Sequence, residues 1–175
     1  MTLMSSLSRA RCLLAAIAGL LAASALSAPL FSVRNGSTTV SFESPAFDAL
    51  AHQSVTAYDF HEKQDHVYTG VPVRELLSRA GVDFGEKLRG RELRQVVVVH
   101  CRDHYDIVFA LAEFDDAFNG RTILLVDRQD GHAVPAGQGP LRLVVPGDKR
   151  PARWARMVES LEVVAVAEGP PPSSP

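Results

Sequence analysis

The stretch YTGVPVRELLSRAGV, residues 68–82, contains the clearest secondary-structure pattern in the chain. Its Gly70 and Pro72 predict a turn. The apolar residues that follow recur at the spacing of one helical face: Val73, Leu76, Leu77 and Ala80. Gly81 comes directly after them and is typical of a helix end. This stretch therefore predicts a turn that leads into a short amphipathic helix.

The segments on either side of this helix are mostly strand-like. Alternating apolar residues around Asn35 and Gly36 predict a hairpin, and Ser44 with Pro45 predicts the start of a short helix. Further strands are predicted over residues 54–60, 94–100, 105–111, 121–131, 139–148 and the end of 153–166, with a helical turn in 111–120. Strands outnumber helices and do not alternate regularly with them, which predicts an α+β fold with mixed or antiparallel sheets.

The first 27 residues have the features of a secretory signal. Arg9 and Arg11 precede an apolar run of 15 residues, and small residues follow it. A membrane anchor is the alternative, but the run is shorter than the ~20 residues needed to span a bilayer. We expect cleavage after Ser27, a periplasmic or secreted location, and no stable membrane insertion of the mature protein. The predicted domain is 28–168, and the proline-rich residues 169–175 are predicted to be disordered.

Charge and cysteine content restrict the function further. The chain has 18 basic and 20 acidic residues, so loss of Arg9 and Arg11 leaves 16 against 20, a net charge of −4. This balance gives no electrostatic support to nucleic-acid binding. Cys12 lies in the predicted signal, so Cys101 is the only thiol of the predicted mature chain. An intramolecular disulfide is therefore excluded for that chain.

Three segments, taken together, resemble the sulfite oxidase-type molybdopterin-binding domain. VYTGVPVRELLSRAGV resembles the family's aromatic-Thr-Gly-Val-Pro-Leu turn and Leu-Leu helix. RDHYDIVFALAEFD resembles its Asp-Gly-Tyr turn and next strand, with His104 in place of the usual glycine. GPLRLVVPGDKRPARWARMVESLEVV resembles its later strand, loop and final strand. The resemblance extends from Val33 to Val164 and implies the family's α+β fold.

The resemblance also implies where a molybdenum ligand would lie. Catalytic members of the family bind molybdenum–pyranopterin through one cysteine thiolate located before the aromatic-Thr-Gly-Val-Pro turn. Here the corresponding segment, SVTAYDFHEKQDHVYTG, has no cysteine, and Thr56, Ala57 and Tyr58 occupy the approximate region. Cys101 follows the turn by some thirty residues and is therefore rejected as the metal ligand. No cofactor is predicted on this basis, although the family resemblance keeps molybdopterin as a candidate.

Cys101 has three interpretations. It is either a small apolar residue at the end of a strand or a redox-active thiol whose pKa is lowered by His100 and Arg102. In an extended strand, however, both of these neighbours point to the opposite face. A metal site with His100 and His104 is the third interpretation, since Cys and His suit zinc or copper. No fourth ligand is evident, and the sequence predicts no metal site.

The segment DKRPARWAR is the best candidate for anion binding. Lys149, Arg150, Arg153 and Arg156 place four cations within eight residues of an acidic protein. Arginine binds phosphate and sulfonate groups in a bidentate manner, and lysine supplies a point charge. A solvated basic loop is the alternative interpretation.

Four further residues are predicted near this ligand site. Trp154 is interpreted as a core residue beneath the basic loop or as a stacking surface for a ligand. Tyr68 and Tyr105 are likewise either packing residues or ligand contacts. Asp103 either stabilises a turn or acts in acid–base chemistry.

These features favour a non-catalytic binding module over an enzyme. We expect a small anionic or pterin-like ligand, or a periplasmic partner protein. The alternative is a periplasmic oxidoreductase that holds the molybdenum cofactor without the usual cysteine.

Overall fold

The computed structural model describes residues 28–167, so the predicted signal and the predicted tail lie outside it. Its ten strands are β1 Phe31–Asn35, β2 Thr38–Phe42, β3 Gln53–Asp59, β4 Gln64–Pro72, β5 Gln95–Cys101, β6 Asp106–Ala110, β7 Leu124–Gln129, β8 His132–Ala133, β9 Arg142–Val144 and β10 Val158–Ala165. Its two α-helices are α1 Ser44–Asp48 and α2 Val73–Arg79. Short 3-10 helices cover Gly85–Lys87, Gly90–Arg94, Leu111–Phe114 and Pro151–Arg153.

The strands form two sheets, as the α+β prediction requires. The first sheet has the order β2-β1-β10-β5-β6, in which β1 and β10 are parallel and the other neighbours are antiparallel. The second has the order β3-β4-β7-β8, and β9 also pairs with β7. All pairs in the second sheet are antiparallel. The predicted mixed and antiparallel sheets are confirmed.

Local sequence explains several of these elements. Gly36 adopts φ +57° between β1 and β2, a conformation that glycine reaches without steric cost. Val97, Val99 and Cys101 are the buried residues of β5, and they alternate as a strand's one-sided packing requires. In α2, the buried residues are Val73, Leu76 and Leu77, and the chain leaves the helix through Gly81 at φ +80°.

The predicted turn at Gly70 and Pro72 is wrong, because strand β4 continues through both residues. The register between β4 and β7 shifts at Thr69 and Gly70. A Cβ atom at Gly70 would lie 2.2 Å from the Leu125 carbonyl oxygen, so only glycine fits at this approach. The glycine that suggested a turn is thus explained by a bulge inside a strand. Pro72 ends β4 and is the N-cap residue of α2.

Buried side chains from both sheets and from α2 form one continuous core. Phe31, Val33 and Leu161 contribute from the first sheet, and Tyr68 and Leu125 from the second. Among residues 28–167, no helix has the length and apolar character needed to cross a membrane.

Candidate functional site

Two cavities share Trp154 as a wall residue. The first, here called the Arg142 cavity, has a volume of about 220 Å³, and the second, the Lys149 cavity, of about 340 Å³. Trp154 contributes to the walls of both cavities, although only 5 % of the residue is exposed. Its indole nitrogen donates to the Val145 carbonyl at 2.9 Å, which fixes the ring beneath the basic loop. The site is therefore organised around one buried aromatic ring.

Arg142 carries a buried positive charge into this site. It is the first residue of β9, its side chain is 1 % exposed, and it forms part of the Arg142 cavity wall. Its Nη2 donates to Asp59 Oδ2 at 3.0 Å, and the Asp59 side chain is 2 % exposed. A buried charge is tolerated only when it is paired, so these two residues depend on each other.

The guanidinium of Arg142 lies against two aromatic rings that also contact each other, with centroids 5.6 Å apart. Its Cζ lies 5.5 Å from the Tyr68 ring centroid and 5.4 Å from that of Trp154. The Tyr68 hydroxyl donates to Asp59 Oδ2 at 3.1 Å. Burial raises the pKa of Tyr68, so the hydroxyl keeps its proton and remains a donor. Tyr68 thus positions both members of the ion pair.

Two nitrogens of Arg142 remain unsatisfied. Nε and Nη1 are shut off from solvent and have no hydrogen-bond partner among residues 28–167. Each unsatisfied buried donor costs about 1–3 kcal/mol, and such groups in folded proteins call for a specific explanation. A buried guanidinium that forms a single hydrogen bond is equipped to bind a further acceptor.

Asp59 also fixes the turn between β3 and β4. Its Oδ1 accepts the backbone N–H of His61 at 2.7 Å and that of Glu62 at 3.2 Å. Burial alone would raise the pKa of Asp59, but these hydrogen bonds and the charged Arg142 outweigh it and lower the pKa to about 2. The carboxylate is therefore ionised at neutral pH. The turn that it fixes brings His61 into the Arg142 cavity wall.

The rest of the Arg142 cavity wall combines one further cation with an acid. Arg156 supplies the cation and Asp103 the carboxylate, and Tyr105 adds an aromatic ring. Asp103 Oδ1 accepts the Tyr105 backbone N–H at 3.1 Å, which is the contact of a turn-stabilising Asp. The Tyr105 hydroxyl donates to the Ala152 carbonyl at 2.9 Å and ties the two loops together.

The Lys149 cavity lies where the family resemblance places the metal ligand. Its wall includes Thr56, Ala57 and Tyr58 at the end of β3, and Lys149 from the basic loop. Tyr58 and Phe60 form an exposed edge-to-face pair with centroids 5.1 Å apart. The wall contains no cysteine.

The four cations of the basic loop are not brought together. Arg153 donates to Asp148 through Nε and Nη2 and to Glu113 through Nη1, each at 2.8 Å, and Arg121 pairs with the same two acids. The charge of Arg153 is therefore neutralised within a cluster of two arginines and two acids. The other cations separate: Lys149 lines one cavity, Arg156 lines the other, and Arg150 is exposed and lines neither.

Cys101 is the last residue of β5 and faces the core at 3 % exposure. Burial raises the pKa of its thiol to about 12, and Asp103, Asp106 and Glu159 add to the effect. A reactive thiol needs the opposite shift, because the thiolate is the nucleophile. These properties favour the structural interpretation of Cys101. Among residues 28–167, no group of three or more His, Cys, Asp or Glu side chains is arranged to hold a metal ion.

The centre of this site, formed by Asp59 and Arg142, was not predicted from the sequence. One signal was available for Arg142, an arginine within the otherwise apolar stretch PLRLVV, where a charge is expected to be buried and paired. Its partner Asp59 is 83 residues away in the sequence, and no local pattern connects them.

Comparison with known proteins identifies the fold and the family. The family model for the oxidoreductase molybdopterin binding domain matches residues 38–169. Among solved structures, the chain is similar to the sulfane dehydrogenase SoxCD from Paracoccus pantotrophus, with a TM-score of 0.59 and 18 % sequence identity. That match covers 76 % of this chain and 37 % of the SoxCD chain, so this chain corresponds to little more than a third of it. No curated protein matches the sequence. The extent of the family match shows that the chain belongs to the oxidoreductase molybdopterin-binding domain family.

Proposed function

We propose that this protein is a non-catalytic binding module of the family, which holds a small anionic or pterin-like ligand beside Trp154. The observation that carries the proposal is Arg142, a buried guanidinium in a cavity wall with two unsatisfied nitrogens. Carboxylate, phosphate and sulfonate groups are the acceptors that match a guanidinium best.

Further residues of the two cavities support an anionic ligand. Arg156 adds a partly exposed cation to the Arg142 cavity, and His61 adds an imidazole. Lys149 and the Tyr58–Phe60 pair suit a ligand that joins an anionic group to a planar ring. Because the free nitrogens of Arg142 are closed to solvent, a ligand reaches them only when the side chains packed around the guanidinium, Tyr68 and Trp154 among them, shift.

The residues present do not fit the metal half of the molybdenum cofactor. The only cysteine among residues 28–167 faces the core from β5 and lines neither cavity. The region that would hold the ligand cysteine contains Thr56, Ala57 and Tyr58. Molybdenum in this family takes a thiolate ligand, and none of these three side chains supplies one. The anionic part of a pterin would still find cations here, so the proposal includes pterin-like ligands without a metal.

The setting of the protein is also part of the proposal. The signal-like residues 1–27 support export to the periplasm or secretion, where a partner protein is the alternative to a small ligand. With a net charge of −4 after signal removal, nucleic acid is not among the proposed partners.

The test uses Trp154, the only tryptophan in the sequence, as a fluorescent reporter. Phosphate and methanesulfonate are titrated into the purified protein while Trp154 emission is recorded. We expect saturable changes in emission, because a bound anion moves the ring. Arg156→Ala should weaken binding about tenfold or more, since a hydrogen bond to a charged group contributes about 1.5–3 kcal/mol.

Two further variants sharpen this test. Arg89→Ala removes the same charge from an exposed site outside both cavities and should leave binding unchanged. Asp103→Asn keeps the Oδ1 acceptor for Tyr105 but removes a negative charge from the Arg142 cavity, so anion binding should strengthen severalfold. Equal affinities in the wild type, Arg156→Ala and Asp103→Asn would refute an anion site in this cavity.

A molybdenum-dependent oxidoreductase is the second candidate, and it rests on membership of the family. Metal analysis separates the two. Protein purified from a host that makes the molybdenum cofactor should contain no molybdenum if the module is non-catalytic. A near-stoichiometric molybdenum content would establish the oxidoreductase instead.

A further inference from the structure

His66 lies between two carboxylates that belong to different parts of the chain. Its side chain is 6 % exposed, its Nδ1 is 2.6 Å from Asp130 Oδ2, and its Nε2 is 2.9 Å from Glu62 Oε2. Glu62 belongs to the turn of residues 60–63, here called the 60–63 turn, and Asp130 to the turn between β7 and β8. Tyr68, with ring centroids 6.0 Å apart, is the aromatic neighbour. His66 therefore connects two loops.

The two carboxylates are anchored to different degrees. Asp130 Oδ1 accepts the Val67 backbone N–H at 2.9 Å, and the Asp130 N–H donates to the Val67 carbonyl at 2.8 Å. The Glu62 side chain is 39 % exposed and contacts His66. Loss of the His66 contact would leave Asp130 in place and release Glu62.

The protonation state of His66 decides whether both contacts can exist. An imidazolium donates from both nitrogens and bonds to both carboxylates, whereas a neutral imidazole donates from one nitrogen only. With that proton on Nδ1 toward Asp130, the Nε2 lone pair faces Glu62 Oε2, and two acceptors repel. A replacement donor is present, because the Gln64 side-chain nitrogen lies 3.2 Å from Nε2. Nε2 therefore has one partner for each protonation state.

We propose that His66 is a proton-operated latch on the 60–63 turn, closed when the imidazolium ties Glu62 to Asp130 and open when the neutral ring accepts from Gln64 instead. The turn carries His61 into the Arg142 cavity wall and donates two amides to Asp59, the partner of Arg142. For its effect on ligand binding the latch rests on the proposed function; the movement of the turn does not.

The direction of the pH dependence follows from the contacts. The hydrogen bond to Asp130 raises the pKa of His66, and the charges of Asp130 and Glu62 add to this against the effect of burial. A group whose pKa is raised by folding stabilises the folded state fully below its ordinary pKa of ~6.5 and loses that contribution as pH rises through the higher folded value. The latch is therefore closed in mild acid and opens as the pH rises. His132 is the other titratable group near Asp130, and its Nδ1 contacts the Asp130 carbonyl.

The experiment follows the turn directly and needs no ligand. NMR of the His66 imidazole gives its titration midpoint, and amide hydrogen exchange gives the protection of His61, Glu62 and Lys63 over the same pH range, corrected for intrinsic exchange. We expect protection to fall about two- to fivefold as His66 loses its proton, as befits a partly exposed ion pair.

Glu62→Gln is the decisive variant, because its exposed side chain can change without unfolding the protein, which a substitution of buried His66 risks. The side-chain amide of this variant can pair with the protonated and with the neutral imidazole. The fall in amide protection with rising pH should therefore disappear, while His66 still titrates. Glu86→Gln, at an exposed acid in a 3-10 helix, is the matched control and should keep this fall. Two results would overturn the latch. One is amide protection of the 60–63 turn that does not change as His66 titrates, and the other is the same pH-dependent change in protection in Glu62→Gln as in the wild type.

Methanesulfonate, whose charge is constant in this range, then tests the effect on the cavity. Its affinity should depend on pH more steeply in the wild type than in Glu62→Gln. Failure to bind at any pH would refute the proposed anion site and leave the hydrogen-exchange result standing. Binding with the same pH dependence in both proteins would overturn the link between latch and cavity.

Discussion

Replacement of Asp59 by Asn tests whether the buried ion pair holds the site together. The amide can keep an oxygen at the Oδ1 position, where it accepts the His61 and Glu62 amides. It then places an NH₂ group where Oδ2 accepts from Arg142 and Tyr68. The variant thus removes one charge and changes little else in shape.

Two values bound the free energy of unfolding that Asp59→Asn should lose. Breaking a buried pair by removing one partner costs about 3–5 kcal/mol, because the remaining charge is buried alone. The lowering of the Asp59 pKa from 3.8 to about 2 gives an independent figure of about 2.5 kcal/mol, at 1.36 kcal/mol per tenfold change in acidity. We therefore expect Asp59→Asn to lower the free energy of unfolding by about 3 kcal/mol at pH 7.

The stability difference between wild type and Asp59→Asn should also depend on pH. Because folding lowers the Asp59 pKa, its contribution is present above pH ~4 and is lost as the pH falls toward 2. Urea denaturation at pH 7 and at pH 2.5 measures both effects. The difference between wild type and Asp59→Asn should be large at pH 7 and shrink in acid.

A double variant supplies the control. In Asp59→Asn with Arg142→Met the unpaired charge is gone, so this protein should be more stable than Asp59→Asn alone. Tyr68→Phe, which loses one hydrogen bond, should cost only about 1 kcal/mol. A loss below 1 kcal/mol in Asp59→Asn, or strictly additive losses in the double variant, would show that the pair is not coupled as described.

Three other predictions concern single positions. Gly70→Ala should destabilise the fold by more than about 3 kcal/mol, because the new Cβ would meet the Leu125 carbonyl at 2.2 Å. The control Gly120→Ala places its Cβ in open space and should change thermal stability little. Equal melting temperatures for the two variants would contradict the bulge at Gly70. The Cys101 thiol should resist alkylation by iodoacetamide at pH 8 until the protein unfolds, because it is buried and its pKa is raised. Mass spectrometry measures the alkylation, and rapid alkylation of the folded protein would restore the redox interpretation. His104→Gly should be neutral or stabilise by up to about 1 kcal/mol in urea denaturation, since His104 has φ +65°, and a clear loss of stability would contradict strain at this residue.

Patterns within a few residues of each other predicted most of the secondary structure. The helix from Val73 and the strand with the four-valine run were recognised because burial repeats along one face of each element. The usual family glycine at position 104 also has a local reason, since His104 occupies a left-handed conformation. The element at Gly70 was misread because a bulge and a turn both select glycine, and the two differ only in what approaches from another strand.

The candidate site could not be predicted to the same extent because distant residues build it. Arg153 looked like a free cation, but Glu113, 40 residues away, and Asp148 commit its charge. Arg142 has its partner 83 residues upstream. A sequence shows which residues carry charge, whereas the sheet pairing decides which charges neutralise one another.

The position of β10 has a consequence for how the chain folds. This strand is the central member of the first sheet, between β1 and β5, yet it is the last strand in sequence order among residues 28–167. Until it is synthesised, the β1–β2 and β5–β6 hairpins have no common neighbour and cannot assemble into a sheet. Contacts so distant in sequence are slow to form, so the first sheet is completed only when β10 joins it. A chain truncated before Val158 would therefore leave one edge of each hairpin unpaired, and unpaired strand edges are prone to aggregation.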